Sequence, residues 1–267
     1  MSMDSDHPRA SQNRIKRWTR LLEAKFRRED GLFLAEGVKV VEELLGSDWQ
    51  TEALLVLPEK NLRWEGVVAP VADQTPVYSL SRPEFKKLSQ DKEPDGVIAV
   101  VRKKEPPDVS SWLAEAAGPL LVAHEITNPQ NLGALIRSAC WFGFAGVILS
   151  ANSVDWTHPK VIRSSMGGVF KMTVLTGVDL LALLADLRGK FLLVGSDVRK
   201  GVAPHPVAKK AALLVGSESH GLPASLLECA AVRWRIPGGT GAESLSLPQA
   251  AAIMMYEMSR GRMVNGE

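Results

Sequence analysis

The stretch LLVAHEITNPQNLGALIRSACWFGFAGVIL (120–149) decides the fold, because it reads as a strand, a turn, a helix and a second strand. LLVA (120–123) and GVIL (146–149) are short apolar runs of the kind that fill a sheet buried on both faces. Between them Leu132, Leu135, Ile136, Ala139 and Cys140 share one helical stripe, the core side of a helix over 131–143. Asn128-Pro129 marks the turn, Asn131 begins the helix, Arg137 lies about two turns in, and Gly133 leaves room for another backbone. Taken singly, Asn131 is explained by helix capping and Arg137 by a surface ion pair.

The same rhythm continues outward. MTVL (172–175), FLLVG (191–195), ALLVG (212–216) and VRWRI (232–236) read as strands, with helical segments at 178–187 and 248–260. Such alternation implies an α/β fold with a parallel sheet and helices on both faces. Ligands of these sheets bind at the carboxyl ends of the strands. Two further strand-to-loop segments therefore matter. In LLVGSESHGL (213–222), Gly216 and Gly221 permit close backbone approach to a ligand. Glu218 there is either an acceptor facing a ligand or Arg137, or a first-turn acid complementing a helix dipole. In IPGGTGAESLSLPQAAAIMMYE (236–257), a glycine-rich loop precedes a helix starting near Pro248, suited to wrapping tightly around a ligand or serving as a flexible surface loop.

Towards the N-terminus, KKEPPDVSS (103–111) has linker composition. It separates an N-terminal domain (1–105) from a C-terminal one (113–267), with 106–112 as the linker. The N-terminal part contains FLAEG (33–37) leading into an amphipathic helix with Val38, Val41 and Leu45 on one side, and buried strands at ALLVL (53–57) and VIAVV (97–101). Before these, Arg14, Lys16, Arg17, Arg20, Lys25, Arg27 and Arg28 surround a single acid, Glu23, while Ile15, Trp18, Leu22 and Phe26 recur at helical steps. This basic amphipathic helix reads either as a phosphate-contacting surface, with Arg14, Lys16, Arg17, Arg27 and Arg28 as RNA ligands, or as a solvated face.

Composition narrows the classes. The 267 residues are 45% hydrophobic and 23% charged, with a net charge of +2, as in an ordinary globular protein. No run of 18 apolar residues occurs and the first 30 residues lack a secretory core, so neither a membrane span nor a leader is expected. Cys140 and Cys229 stand alone, without metal-ligand spacing, so no metal site is expected and a reducing, cytoplasmic setting is. The alternating pattern lacks a GxGxxG turn, which argues against a nicotinamide-dependent oxidoreductase.

NPQNLGALIRSA, LVGSESHGL and IPGGTGAESLSLPQAAAIMMYE resemble, in order and spacing, motifs one, two and three of the SpoU (TrmH-like) branch of the SPOUT methyltransferases. FLAEG and LSQDKEPDGVIAVV (88–101) resemble the smaller α/β substrate-binding domain, similar to a ribosomal-protein fold, attached to many members. The resemblance implies a C-terminal SPOUT domain tied in a deep trefoil knot, a homodimer with the active site completed across the interface, and S-adenosylmethionine folded into the knot. Cofactor contacts would come from Gly216, Ile236, Leu245 and Ser246, and catalytic roles from Asn131, Arg137, Glu218 and Ser244. The implied reaction is methyl transfer to a ribose 2′-hydroxyl of structured RNA, ribosomal RNA ahead of transfer RNA.

A guanidinium resists deprotonation, so in that reading Arg137 binds the adjacent RNA phosphate and orients the hydroxyl, with the phosphate or a transiently deprotonated Arg137 taking the proton. Asn131 holds Arg137 or the ribose, and Glu218 fixes the cluster. One position departs from the family: Ser244-Leu245-Ser246 stands where serine-leucine-asparagine is usual. A serine lacks the reach and paired donors of an amide. The alternative is therefore an RNA-binding or ribosome-assembly factor with the knotted fold and weak or no transfer.

Overall fold

A computed structural model describes residues 7–239, 241 and 244–263. The chain divides into two compact units, Met1–Glu105 with Trp156–Phe170, and Pro106–Asp155 with Lys171–Glu267.

The first unit begins with α1 (Gln12–Arg20), α2 (Ala24–Asp30), β1 (Leu32–Glu36), α3 (Val38–Leu45) and β2 (Thr51–Val56). It continues with α4 (Asn61–Val68), β3 (Val77–Ser79), α5 (Arg82–Leu88) and β4 (Val97–Arg102). Its sheet has the order β1-β4-β2-β3, antiparallel except for β2–β3. Ile15 and Trp18 of α1 are buried in one core with Leu32, Leu55, Phe85 and Ile98. The single basic helix expected over 14–28 is two helices. The chain turns at 21–23 because Leu21 is fully buried, and the carbonyls of Leu21 and Leu22 take hydrogen bonds from Arg27 Nη1 (3.1 and 3.0 Å).

Residues 156–170, assigned from sequence to the C-terminal domain, pack into this first unit. Trp156 and Phe170 join Phe33 and Trp49 in an aromatic cluster with ring centroids 5.5–6.5 Å apart. Trp49 Nε1 donates to the Phe170 carbonyl at 3.2 Å. The helix α8 (Pro159–Ser165) brings Arg163 to an ion pair with Asp91. Asp91 lies beside the buried Glu36, which accepts hydrogen bonds from Ser89 Oγ and from Gln90 N (2.9 Å). Gly167 sits at φ +87° where a Cβ would lie 2.4 Å from Glu43 Cβ, so this close approach admits only glycine.

The second unit opens with α6 (Val109–Glu115), so the latter part of the expected linker is already helical, capped by Asp108 accepting from Ser111 N. It continues with β5 (Leu120–Ala123), α7 (Pro129–Trp141), β6 (Gly146–Ser150), β7 (Thr173–Val178) and α9 (Leu180–Leu187). It ends with β8 (Leu192–Ser196), β9 (Ala211–Val215), α10 (Ala224–Cys229), β10 (Val232–Trp234) and α11 (Leu247–Met263). The six strands run in the order β10-β8-β9-β5-β6-β7, all parallel. The central strands β5, β6 and β9 are wholly buried, which explains their uninterrupted apolar sequences. Because the strands are parallel, every loop that follows a strand emerges on one edge.

Candidate active site

Three segments leaving that carboxyl edge, with α7 after the first, carry the residues singled out in the sequence. The first leaves β5, the second β9, its hydrogen-bonded neighbour, and the third β10. After β5 the backbone is held closely. His124 N donates to the Val215 carbonyl (2.9 Å), and Glu125 N to Ser150 Oγ (2.8 Å). Glu125 adopts φ +51°, a conformation that non-glycine residues rarely take and that clusters at functional loops. Asn152 Nδ2 donates to its carboxylate at 3.1 Å.

The cap of α7 is Asn128, whose side chain accepts from Gln130 N (2.9 Å) and Asn131 N (3.4 Å), with Pro129 at the first helical position. Asn131 is thereby relieved of the capping role that would have explained it. Its Nδ2 donates instead to Glu218 Oε1 at 2.7 Å, joining the first motif to the second. Glu218 faces Asn131 rather than Arg137. Arg137 is exposed, and no hydrogen bond or ion pair engages its side chain among the described residues.

Gly216 has a role different from the expected one. A Cβ there would lie 2.0 Å from Gly221 C and 2.2 Å from Leu222 N, so the open space is filled by the loop's own backbone. The turn is closed by Gly221 N donating to the Ser217 carbonyl (2.9 Å) and by His220 N donating to Ser217 Oγ (3.3 Å). Only the main-chain polar groups of Gly216 remain for a ligand. This self-packing holds Glu218 at the loop tip.

Past β10, which ends at Trp234 rather than at Ile236, Gly238, Gly239 and Gly241 have open space where a Cβ would stand. Ser244 and Ser246 are exposed, and the apolar side chain of Leu245 is 46% exposed. Ser246 directly precedes α11, and its N–H and hydroxyl both donate to Gln249 Oε1, at 3.4 and 3.1 Å, one half of a capping box. The serine that departs from the family pattern therefore starts α11. An adenosyl group needs an apolar face for its base and main-chain groups for its polar edge, and this loop offers both. In chemistry the described residues fit S-adenosylmethionine: the exposed Leu245 is apolar, and Gly216, Ile236 just past β10 and Ser246 at the start of α11 carry main-chain donors and acceptors.

Of the five cations assigned to RNA, Arg14, Lys16 and Arg28 are exposed. Arg17 is exposed but engaged with Asp30 (3.4 Å) and Glu52 (3.6 Å). Arg27 is a correction. It is buried, with Nε donating to Thr157 Oγ1 at 3.0 Å and Nη1 to two carbonyls, so it braces the unit and offers nothing to a phosphate. No local pattern signals this, because the partner Thr157 lies far along the chain. The sequence reading offers the cap to Asn131 and only a turn to Asn128-Pro129; proline at the first helical position is the signal that Asn128 is the cap. The left-handed Glu125 was not legible in the sequence.

Comparison with known proteins agrees with this architecture. Residues 118–256 match the SpoU rRNA Methylase family, and residues 12–99 match the MRM3-like substrate binding domain. The 23S rRNA (guanosine(2553)-2'-O)-methyltransferase RlmP of Bacillus subtilis (strain 168) is 29% identical over 93% of this chain and 97% of that protein. The crystal structure of the SpoU methyltransferase AviRb from Streptomyces viridochromogenes, in complex with the cofactor AdoMet, superposes with a TM-score of 0.79 at 25% identity, covering 95% of this chain and 99% of that one. The crystal structure of an RNA 2'-O ribose methyltransferase superposes with a TM-score of 0.79 at 30% identity, covering 96% and 99%.

Proposed function

The chain belongs to the SpoU rRNA methylase family, and we propose that it transfers a methyl group from S-adenosylmethionine to a ribose 2′-hydroxyl of ribosomal RNA. The observation that carries the assignment of roles is the Asn131–Glu218 hydrogen bond, which links two motifs far apart in sequence at the carboxyl edge of the sheet.

The cofactor, when bound, supplies a methyl group already activated on a sulfonium. The protein's own task is to bring a weak nucleophile into line and to manage its proton. Glu218, fixed by its self-packed loop, holds Asn131, and Asn131 Oδ1 remains to accept from the ribose hydroxyl. Arg137 contributes a two-pronged donor to the adjacent phosphate, for which a guanidinium suits better than an ammonium, and that phosphate takes the proton released by the hydroxyl as its oxygen bonds to the methyl. Ser244, exposed on the chain between β10 and α11, contributes a hydroxyl to the reaction.

Arg137 reaches the site best in a homodimer. It shares a face of α7 with Trp141, four residues on, whose ring is 81% exposed. Ile253 and Tyr256 of α11 are also exposed, and Tyr256 lies against Phe142 at 6.0 Å. A partner that covers this apolar surface also covers Arg137. We read a trefoil knot in the return of α11 from the β10 edge to pack on α7 and β9, where Ser259 Oγ donates to the Phe142 carbonyl at 3.0 Å. The N-terminal unit, through Arg14, Lys16 and Arg28, holds structured RNA. The reaction belongs where ribosomal RNA is found, in the cytoplasm.

The test is transfer of labelled methyl from S-adenosylmethionine to ribosomal RNA taken from cells lacking this gene, with the modified ribose mapped. A single 2′-O-methylated ribosomal nucleotide is expected. Labelling confined to transfer RNA would overturn the substrate class. Tight cofactor binding without transfer to any RNA would assign the chain to an assembly factor instead.

A further inference from the structure

At the β10 side of the parallel sheet, a short loop is built more firmly than its exposure requires. Beyond β8, the Asp197 side chain accepts from the N–H groups of Arg199 (2.8 Å) and Lys200 (3.2 Å), closing a turn. Asp197 N donates to the Trp234 carbonyl, Val202 N to that of Arg233, and Arg235 N to that of Val202, each at 2.9 Å. The loop therefore clamps onto β10 from outside. Gly201 lies at φ +146°, and a Cβ there would stand 2.5 Å from the Arg233 carbonyl oxygen, so this clamp closes only on glycine. Arg235 Nε donates to the Val198 carbonyl (3.2 Å), and Arg233 pairs with the Asp197 carboxylate (3.6 Å).

What the loop displays is cationic and partly apolar. Arg199 and Lys200 project at its exposed tip, and no ion pair engages them among the described residues. Its one acid is occupied by the turn and by Arg233. Val198, 74% exposed, and the exposed Val202 flank the two cations in the chain. The loop leaves the carboxyl edge of β8, the strand between β9 with its Glu218 loop and β10 with its glycine loop.

We propose that residues 197–202 together with Arg235 form a second RNA-contacting surface, on the catalytic unit itself, which grips backbone phosphates flanking the target ribose. The proposal rests on the reading of the chain as an RNA methyltransferase. Cations supply the sequence-independent part of RNA affinity, and the valines suit the apolar faces of sugars and bases. A loop already fixed by three main-chain hydrogen bonds and two to the Asp197 side chain loses little freedom when it binds. Its phosphate contacts hold the register of the strand and carry no sequence information.

The test compares two charge-matched double variants of the full-length protein, using a fluorescent RNA hairpin and, in parallel, total ribosomal RNA. Arg199→Ala/Lys200→Ala removes the loop tip. Arg188→Ala/Lys190→Ala removes two exposed cations just before β8, at the opposite edge of the same sheet. The loop variant is expected to weaken hairpin binding about tenfold and to lower the slope of log Kd against log salt by about 1.4–1.8, at roughly 0.7–0.9 per phosphate. Its KM for ribosomal RNA rises, while S-adenosylmethionine binding by calorimetry stays at the parent value. The control pair is expected to change the slope by less than half as much. A parental slope in the loop variant, or equal losses in the two variants, would overturn the proposal. Failure of the parent protein to methylate any ribosomal RNA would instead overturn the functional reading, and hairpin binding would still report on the loop.

Discussion

Asn131 donates from Nδ2 to Oε1 of Glu218 at 2.7 Å, across 87 residues of sequence and between the helix after β5 and the loop after β9. With Asn128 as the cap of α7, Asn131 is free to make this contact, and the contact leaves its carbonyl oxygen for a substrate hydroxyl. Glu218→Ala removes the brace, and turnover is expected to fall about a hundredfold through misplacement of the reacting groups. Glu218→Gln keeps an acceptor for Asn131 and is expected to retain most of that turnover. Single-turnover kinetics checks both, and a Gln variant as slow as the Ala variant would show that the charge, not the brace, matters.

Arg137 is exposed, with no ion pair or hydrogen bond to its side chain among the described residues, so its replacement has little to destabilise. Arg137→Lys is expected to change folding stability by less than about 0.5 kcal/mol. Yet kcat/KM for RNA should drop at least tenfold, because an ammonium cannot bind a phosphate in two places. Thermal unfolding measured beside methyl transfer separates the two effects. Near-parental transfer by the lysine variant would remove the need for the planar fork.

Ser246 and Gln249 cap α11 directly beside Leu245. Ser246→Ala should cost about 1 kcal/mol in denaturant unfolding and weaken S-adenosylmethionine binding, since the loop loses its anchor. Ser246→Asn restores the family residue with an equally good cap, so stability is expected to return to the parent value. Calorimetry would then show whether the amide also improves cofactor binding. A fully stable alanine variant would contradict the capping role.

Arg27 and the exposed cations of the same helical pair should behave oppositely. Arg27→Ala strands the Leu21 and Leu22 carbonyls and Thr157 Oγ1, at an expected cost of about 3 kcal/mol, with no change in the salt slope of RNA binding. The triple variant of Arg14, Lys16 and Arg28 to alanine should keep its stability and lower the slope by about 2–3. Unfolding curves and binding at several salt concentrations give both readings.

Two carboxylates of the N-terminal unit give stability opposite pH dependences. Burial pushes Glu36 above its ordinary value, against the hydrogen bonds from Ser89 and Gln90 and the nearby Arg163. The folded state thus holds the proton more tightly than the unfolded chain, and this stabilisation is lost as pH rises from about 4.5 through the raised value. Glu84 is held at about 2 by hydrogen bonds from the Ser81 side chain and backbone, and then from Gln12. Its contribution is present above 4.5 and lost as pH falls towards 2. Glu36→Gln should therefore flatten the stability profile above pH 4.5, and Glu84→Gln the profile below it. Urea unfolding across that range is the measurement, and identical profiles for all three proteins would refute the assignment.

The strands of the second unit were legible because a central parallel strand is buried on both faces and must be apolar throughout. LLVA, GVIL and ALLVG could hardly be anything else. The order of the three motifs placed Asn131, at the start of a helix, and Glu218 and Ser244, on loops, beyond strand ends at one edge, since parallel strands deliver their carboxyl ends together. Local chemistry also announced the turn at Asn128-Pro129 and the loop before Pro248.

Chain-distant contacts were decided only in three dimensions. Asn131 meets Glu218 and not Arg137 because β5 and β9 are neighbours in the sheet, which no local pattern encodes. Residues 156–170 join the N-terminal unit because Phe33 and Trp49 offer their aromatic side chains an apolar partner. Arg27 turns inward because a broken helix left two carbonyls to satisfy, while its sequence neighbours stay in solvent. Periodicity reports which face of an element is apolar, and only packing determines what that face, or a lone polar side chain, will meet.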